Sequence, residues 1–261
     1  MLRFRTLAAL SLGVAALAVG SSAYATAGHT KADVANGKKI FTEGKGSVPA
    51  CTSCHMEDGM GNDMMGTPRL AGQIPQFVRK QLQDFAEDKR TDTTMFVMNT
   101  NAKGLSEQDR RDVAAYVSTL AKGKEASAKG ASKLDELRSN GVEVGTPYLG
   151  KAIVNRGVPE KGVPACRSCH DYNGRGVDPM YPKIGEQKYV YLVNQLKKWR
   201  DGSRANDPMG QMRAVAKTLS DDEIHNVASF LTSASAYSMG NTMLPEEHHF
   251  MTFDVPREGS D

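Results

Sequence analysis

Two copies of one pentapeptide, Cys-x-x-Cys-His, constrain this chain more than any other feature of its sequence. Together they use all four cysteines of the 261 residues. The spacing is the attachment pattern of c-type haem: two thiols on one turn add to the two haem vinyl groups, and the histidine that follows lies beneath the iron. The motifs therefore predict two covalently bound haem c groups. The predicted ligands are Cys51, Cys54, Cys166 and Cys169 for the thioethers, and His55 and His170 for the iron.

A single copy of this motif has two other interpretations, half of a zinc site or a redox-active dithiol. A zinc site requires four ligands gathered in one domain. Here the two pentapeptides are equivalent and lie 115 residues apart, and each is followed by histidine. The duplication therefore favours two haems.

The first 25 residues have the pattern of a secretory signal peptide. Arg3 and Arg5 precede an apolar run, which ends in a stretch of small residues. We expect cleavage after Ala25 or Ala27. An uncleaved anchor is the alternative, since the stretch approaches the ~20 residues that span a bilayer, but its serines and glycines make it a poor one. We therefore expect a periplasmic protein, soluble or peripherally associated with the membrane.

Length and charge narrow the possible classes of protein. A chain of 261 residues allows about two domains of ~100–150 residues each. The formal net charge is +3, and no basic tract is dense enough to indicate nucleic-acid binding. We expect redox proteins as partners, among them membrane-bound complexes, and no nucleic acid.

The rest of the sequence is an internal repeat. In each copy a short helix that ends at glycine precedes the haem motif, and a glycine-rich loop then leads to Pro68 or Pro182. A helix, a pair of methionines and a last helix with apolar residues at i, i+3, i+4 and i+7 complete the copy. Neither copy has alternating apolar residues of a strand, so the predicted fold is all-α, with two tandem helical domains.

The repeat fixes the predicted boundaries. These are 1–25 for the signal peptide, 33–122 for domain 1 with haem I, 123–147 for a linker, 148–236 for domain 2 with haem II, and 237–261 for an acidic tail. The tail contains several apolar residues beside its acids, so we expect it to pack on its own protein or on a partner subunit. The alternative is a disordered, solvated end.

The sixth iron ligand decides between an electron carrier and a catalyst. Two methionine pairs recur at the same place in both repeats, Met95 with Met98 and Met209 with Met212. Their spacing alone does not choose within each pair. Among the other histidines, His225 has no counterpart in the first repeat, and we expect it at the surface.

The tandem arrangement resembles the cytochrome c4 family, dihaem carriers built from two class I cytochrome c domains. The matching motifs are Pro-Arg-Leu-Ala-Gly-Gln at 68–73, Lys-Gln-Leu-x-x-Phe at 80–85, and Met-Arg-Ala-Val-Ala at 212–216, which leads to Leu-Ser at 219–220. The resemblance covers about residues 33–235. It implies two class I cytochrome c domains, each a small helical fold around a covalent haem.

The resemblance also implies the remaining site residues. In that family the axial methionine lies seven residues before the leucine that precedes the last helix, which selects Met98 and Met212. The proline after the haem loop offers its carbonyl to the other nitrogen of the ligand histidine. That role implies Pro68 and Pro182, whose hydrogen bonds orient the imidazole and tune its basicity.

These features lead us to expect an electron carrier and not an enzyme. The expected donor is a cytochrome bc1-type quinol–cytochrome c reductase, and the expected acceptor is a terminal oxidase. One alternative is the dihaem subunit of a dehydrogenase complex, such as a sulfide-oxidising flavocytochrome. A dihaem peroxidase is another, but it requires an open iron position and an acid–base group, whereas both repeats have equivalent methionines.

Overall fold

A computed structural model describes residues 31–120 and 132–235. The signal peptide and the acidic tail predicted from the sequence lie outside these ranges. The described part of the chain is helical, and its extended pairings are isolated β-bridges. Its α-helices are α1 (Val34–Glu43), α2 (Thr52–His55), α3 (Pro75–Ala86), α4 (Met98–Lys103), α5 (Glu107–Thr119), α6 (Leu134–Ser139), α7 (Pro147–Arg156), α8 (Arg167–His170), α9 (Tyr189–Asp201), α10 (Gln211–Ala216) and α11 (Asp221–Ser233).

The two repeats fold alike, and each has its own apolar core. In the first repeat α1 packs against α5, and α3 packs against α4 and α5. In the second repeat α7 packs against α11, and α9 packs against α10 and α11. The all-α prediction is therefore confirmed. The buried core residues include Ile40, Phe41, Val78, Val113 and Val117 in the first repeat, and Val154, Tyr189, Ile224, Val227 and Leu231 in the second.

In each repeat the first and last helices touch at a glycine. A Cβ atom on Gly37 would lie 2.1 Å from the backbone oxygen of Asp112, and one on Gly150 would lie 1.8 Å from that of Asn226. Both distances are far below van der Waals contact, and a helix backbone yields little. Glycine at these positions therefore allows the two helices to approach as closely as they do.

The last helix of each repeat begins with a complete capping box. The Ser106 hydroxyl accepts from the Asp109 backbone N–H, and the Asp109 carboxylate accepts from the Ser106 backbone N–H. Ser220 and Glu223 make the same pair of bonds. These bonds satisfy N–H groups that have no partner within a helix. They fix where the last helix of each repeat begins.

The segment expected as a linker is in part a component of the second repeat. Residues 134–139 form α6, and Leu137 is buried in the second core, with Val142 and Val144 packed beside it. The Tyr189 hydroxyl donates to the Glu143 carbonyl oxygen at 2.7 Å. The expectation relied on the Lys, Ala, Gly and Ser content of the segment. The apolar residues of the segment nevertheless pack against a part of the second core that the repeat alone would leave exposed.

The same segment explains why the expectation for His225 is wrong. His225 is 5% exposed, and its ring lies edge-on to that of Tyr189, with 6.4 Å between the ring centroids. Residues 132–146 cover this side of α11, which would otherwise face solvent. The repeat pattern gave no sign of this, because the first repeat has Arg111 at the equivalent position.

Four buried polar side chains join the two repeats. Arg90 donates to the Oε1 atoms of Gln81 at 2.8 Å and Gln195 at 3.0 Å. Arg204 donates to the same two atoms, at 3.0 Å and 2.7 Å respectively. Each residue has its repeat counterpart in the set, so the arrangement is nearly two-fold symmetric. We call these four residues the interface quartet.

Aromatic rings cover both arginines of the interface quartet. The Arg90 guanidinium lies 4.6 Å from the ring centroid of Phe85, and that of Arg204 lies 4.2 Å from the ring of Trp199. Burial, together with the nearby charge of Arg90, lowers the pKa of Arg204 to about 9. At neutral pH the Arg204 guanidinium therefore still carries its charge, although it is buried between the two repeats.

Within residues 31–120 and 132–235, no helix combines the length and the apolar character that crossing a bilayer requires.

We expect Gly150→Ala to lower the thermal unfolding midpoint of the haem-loaded protein. Helix propensity alone favours alanine over glycine by about 1 kcal/mol. The clash of the new Cβ with the Asn226 backbone opposes this gain, because overpacking costs about 1–3 kcal/mol. In a chain of this size each kcal/mol of lost stability lowers Tm by about 2–4 °C. Lys151→Ala, at the next and exposed position of α7, is the control. A higher Tm for Gly150→Ala would show that the helices are not held this closely.

Candidate haem-binding sites

The two Cys-x-x-Cys-His motifs each form one tight helical turn. In the first the His55 backbone N–H donates to the Cys51 carbonyl at 2.9 Å, and in the second His170 bonds Cys166 at the same distance. The turn places the two thiols and the imidazole on one short element, as attachment to a single porphyrin requires. Helices α2 and α8 are therefore equivalent binding elements.

The alternative interpretations of the cysteines receive no support from their surroundings. All four cysteine side chains are half-buried. Burial raises the pKa of Cys51 and of Cys166 to about 11, so both thiols are poor nucleophiles at neutral pH. Across the described ranges, no three His, Cys, Asp or Glu side chains are grouped to hold a metal ion. The donor set fits thioether attachment of haem.

Both motif histidines are buried and hydrogen-bonded through one ring nitrogen. His55 Nδ1 lies 3.1 Å from the Pro68 carbonyl oxygen, and His170 Nδ1 lies 2.8 Å from that of Pro182. Because a carbonyl only accepts, Nδ1 carries the proton in each ring. Burial lowers the pKa of both imidazoles, so they are neutral at pH 7. Each Nε2 therefore presents a free lone pair, the state that an iron ligand requires.

The methionines of each pair differ in exposure. Met98 is the first residue of α4 and is half-buried, whereas Met95 is 38% exposed. Met212 lies in α10 and is half-buried, whereas Met209 is 90% exposed. A ligand to a buried iron needs a sheltered side chain. Burial thus supports the proposal of Met98 and Met212 as the sixth ligands.

The loop before Met98 is held by the carboxylate of Asp92. This group accepts backbone N–H bonds from Thr94 at 2.9 Å, Val97 at 3.2 Å and Met98 at 3.3 Å. Burial alone would raise the pKa of Asp92, but these N–H donors outweigh it and lower the pKa. The carboxylate therefore stays charged at neutral pH and fixes the start of α4, from which Met98 projects.

Sequence reasoning missed a set of side chains that connect the proline loops of the two repeats. Gln187 bonds the backbone of Arg69, which follows Pro68, and Gln73 bonds the backbone of Lys183, which follows Pro182. The signal was present, since both glutamines occupy the same place in the repeat. Nothing in the local pattern, however, says that each glutamine reaches across to the other repeat.

Comparison with known proteins gives a consistent result. The model of the family described as cytochrome c matches twice, at residues 34–121 and 149–235. A cytochrome c4 from Thiocapsa roseopersicina is 35% identical over 188 residues, which is 71% of this chain and 87% of the relative. Each match includes one Cys-x-x-Cys-His motif, so the two haem sites belong to two separate domains of one type.

Two further similar proteins are connected with thiosulfate dehydrogenase. A "thiosulfate dehydrogenase electron acceptor" from Stutzerimonas stutzeri strain A1501 is 35% identical over 213 residues, 80% of this chain and 91% of the relative. The solved structure of thiosulfate dehydrogenase (TsdBA) from Marichromatium purpuratum matches with a TM-score of 0.68 and 30% identity. The match covers 78% of this chain and only 40% of that one.

We expect Met98→Ala to remove the weak far-red sulfur-to-iron absorption band from one haem, and Met212→Ala to remove it from the other. The thioether sulfur is lost while the histidine ligand stays, so each change affects one iron. Met95→Ala and Met209→Ala are the matched controls and should leave the band intact. Loss of the band in a control variant would place the ligand at the other methionine of that pair.

Proposed function

The chain belongs to the cytochrome c family, as a two-domain member of the cytochrome c4 type, and we propose that it carries electrons in the periplasm as a two-haem shuttle. Two covalently bound haem c groups serve this electron transfer. The signal pattern at residues 1–25 and the attachment of c-type haem outside the cytoplasm support the periplasmic location.

The observation that carries this proposal is the equivalence of the two sites. In both repeats a buried, neutral imidazole bonds a proline carbonyl and keeps Nε2 free. When bound, each haem supplies an iron that takes up or gives back one electron. His55 and His170 would hold that iron, and Met98 and Met212 would complete the proposed ligand sets. Equal and complete ligand sets would favour electron transfer over bond-making chemistry, because neither iron would keep an open position.

The polypeptide contributes rigidity and exclusion of water. The proline carbonyls fix the imidazole rings, the Asp92 carboxylate fixes the start of α4, and the first cysteine of each motif packs against an apolar core. Ligands that do not move between redox states keep the reorganisation on electron transfer small. The interface quartet holds the two repeats in one arrangement, so an electron that enters at one site has a fixed route to the other.

We propose a quinol–cytochrome c reductase as donor and a terminal oxidase as acceptor. Similar proteins support a second donor, a thiosulfate dehydrogenase. One relative is named as the electron acceptor of that enzyme and aligns over 91% of its length. In this second role the chain remains a carrier, and the oxidation of thiosulfate takes place on the partner.

Stopped-flow reduction of the oxidised protein distinguishes the two donors. One reaction contains thiosulfate with a thiosulfate dehydrogenase, and the other contains quinol with a quinol–cytochrome c reductase. We expect rapid reduction of both haems by one of these systems, followed by reoxidation on addition of a terminal oxidase. A cytochrome c with a single haem and a similar net charge is the control for non-specific electron transfer. Failure of both systems to reduce the protein faster than the control would reject the shuttle.

We also expect no peroxide-dependent turnover and only slow binding of cyanide or carbon monoxide, because both irons are proposed to be six-coordinate. The measurement follows ligand binding spectroscopically, with Met98→Ala as a control that opens one iron. Rapid binding to one haem of the unaltered protein would instead support the peroxidase alternative.

A further inference from the structure

Two glutamines connect the proline loops of the repeats in a reciprocal pattern. Gln187 Oε1 accepts from the Arg69 backbone N–H at 2.7 Å, and Gln187 Nε2 donates to the Arg69 carbonyl at 3.0 Å. Gln73 Oε1 accepts from the Lys183 N–H at 2.9 Å, and Gln73 Nε2 donates to the Lys183 carbonyl at 2.8 Å. Each carboxamide thus bonds one whole residue of the other repeat's backbone.

Both glutamines are fixed where they lie. Each is 6% exposed, and each Oε1 also accepts the N–H of its own following residue at 2.9 Å, from Ile74 in one repeat and Lys188 in the other. The orientation of each amide is set by these partners, because a backbone N–H needs an oxygen and a carbonyl needs an N–H. The contacts are therefore specific and shielded from solvent.

These bonds reach the iron ligands through one peptide group. The Arg69 N–H that donates to Gln187 belongs to the same peptide plane as the Pro68 carbonyl that accepts from His55. In a buried chain of hydrogen bonds, each bond polarises the next. An acceptor on the N–H side moves electron density to the carbonyl oxygen, which then accepts more strongly from the imidazole. The second repeat has the same chain, from Gln73 through the Pro182–Lys183 peptide to His170.

We infer that each glutamine is a positioning residue that tunes the iron ligand of the opposite repeat. Gln187 acts on His55, and Gln73 acts on His170. A stronger bond at Nδ1 gives the imidazole more anionic character, which stabilises ferric iron and lowers the reduction potential. Packing of the two repeats against each other therefore sets both reduction potentials, and each repeat tunes the haem of the other. This inference rests on the proposed ligation of the irons by the two histidines.

The decisive experiment compares Gln187→Met with Gln73→Met in the haem-loaded protein. Each variant removes the carboxamide but keeps the side-chain length. We expect Gln187→Met to raise the potential of haem I and Gln73→Met to raise that of haem II. At a fixed ambient potential we expect the ferrous-to-ferric ratio of the affected haem to rise about threefold. This corresponds to a reduction potential higher by ~28 mV, at 59 mV per tenfold change for one electron. NMR-monitored redox titration resolves the two haems.

A second readout separates tuning from a merely structural role. In the reduced, diamagnetic protein the Nδ1 proton of His55 should move upfield and exchange faster in Gln187→Met, whereas that of His170 should not. Tyr191→Phe is the matched control, because it removes the bond between Tyr191 and Arg90 across the same interface without touching either proline peptide. We expect it to change neither Nδ1 proton.

The inference is overturned if a variant does not act selectively on the haem of the opposite repeat. If either variant shifts both haems equally, or shifts the haem of its own repeat, the glutamines only hold the interface together. If the methionine variants do not fold, Gln187→Asn and Gln73→Asn shorten the side chain by one carbon and test the same crossed pattern. The proposed ligation is judged separately in the unaltered protein, because ring protons of an axial histidine shift far upfield above the haem. Absence of these upfield signals would reject the proposed ligation. If the signals are present but the potentials do not change in the opposite repeat, only the tuning by the glutamines is rejected.

Discussion

The hydrogen bond between a buried imidazole and a proline carbonyl is the interaction on which the rest of this structure depends. It fixes the proton of His55 and of His170 on Nδ1 and thereby leaves Nε2 free for iron. It also ties the haem-binding turn to the loop that carries Pro68 or Pro182. The residue after each proline faces the other repeat, so the bond joins the geometry of each site to the packing of the two domains.

The sequence predicted those features of the fold that repeat or that follow from local pattern. The short haem turns, the glycine at the end of α1 and the capped last helices were all visible in it. Contacts between residues far apart in the chain were not, because local periodicity does not say which surfaces meet. For the same reason α6 and the burial of His225 were missed. The local pattern of residues 132–146 does not indicate which surface of the second repeat they cover.

The two sites are equivalent in their motifs but not in their electrostatics. Arg69 Nη1 lies 2.9 Å from Glu186 Oε2, and both side chains are about nine-tenths buried. The repeat counterpart of Glu186 is Gly72, so the first repeat supplies no equivalent carboxylate. Burial and the charge of Arg69 lower the pKa of Lys183, and Glu186 opposes them only in part. Both Gly72 and Glu186 have positive φ, a conformation that favours glycine, so the acid occupies a strained position that its ion pair helps to hold. The fold thus places different charges near two haem-binding motifs of the same sequence pattern.

The central claim is that the two haem sites form one relay across a fixed domain interface. Injection of a single electron into the fully oxidised protein, followed by time-resolved spectroscopy of each haem, tests this claim most directly. The account predicts that the electron redistributes between the haems at a rate that does not depend on protein concentration. A redistribution rate proportional to protein concentration would show that the electron moves only between molecules, and it would contradict the account.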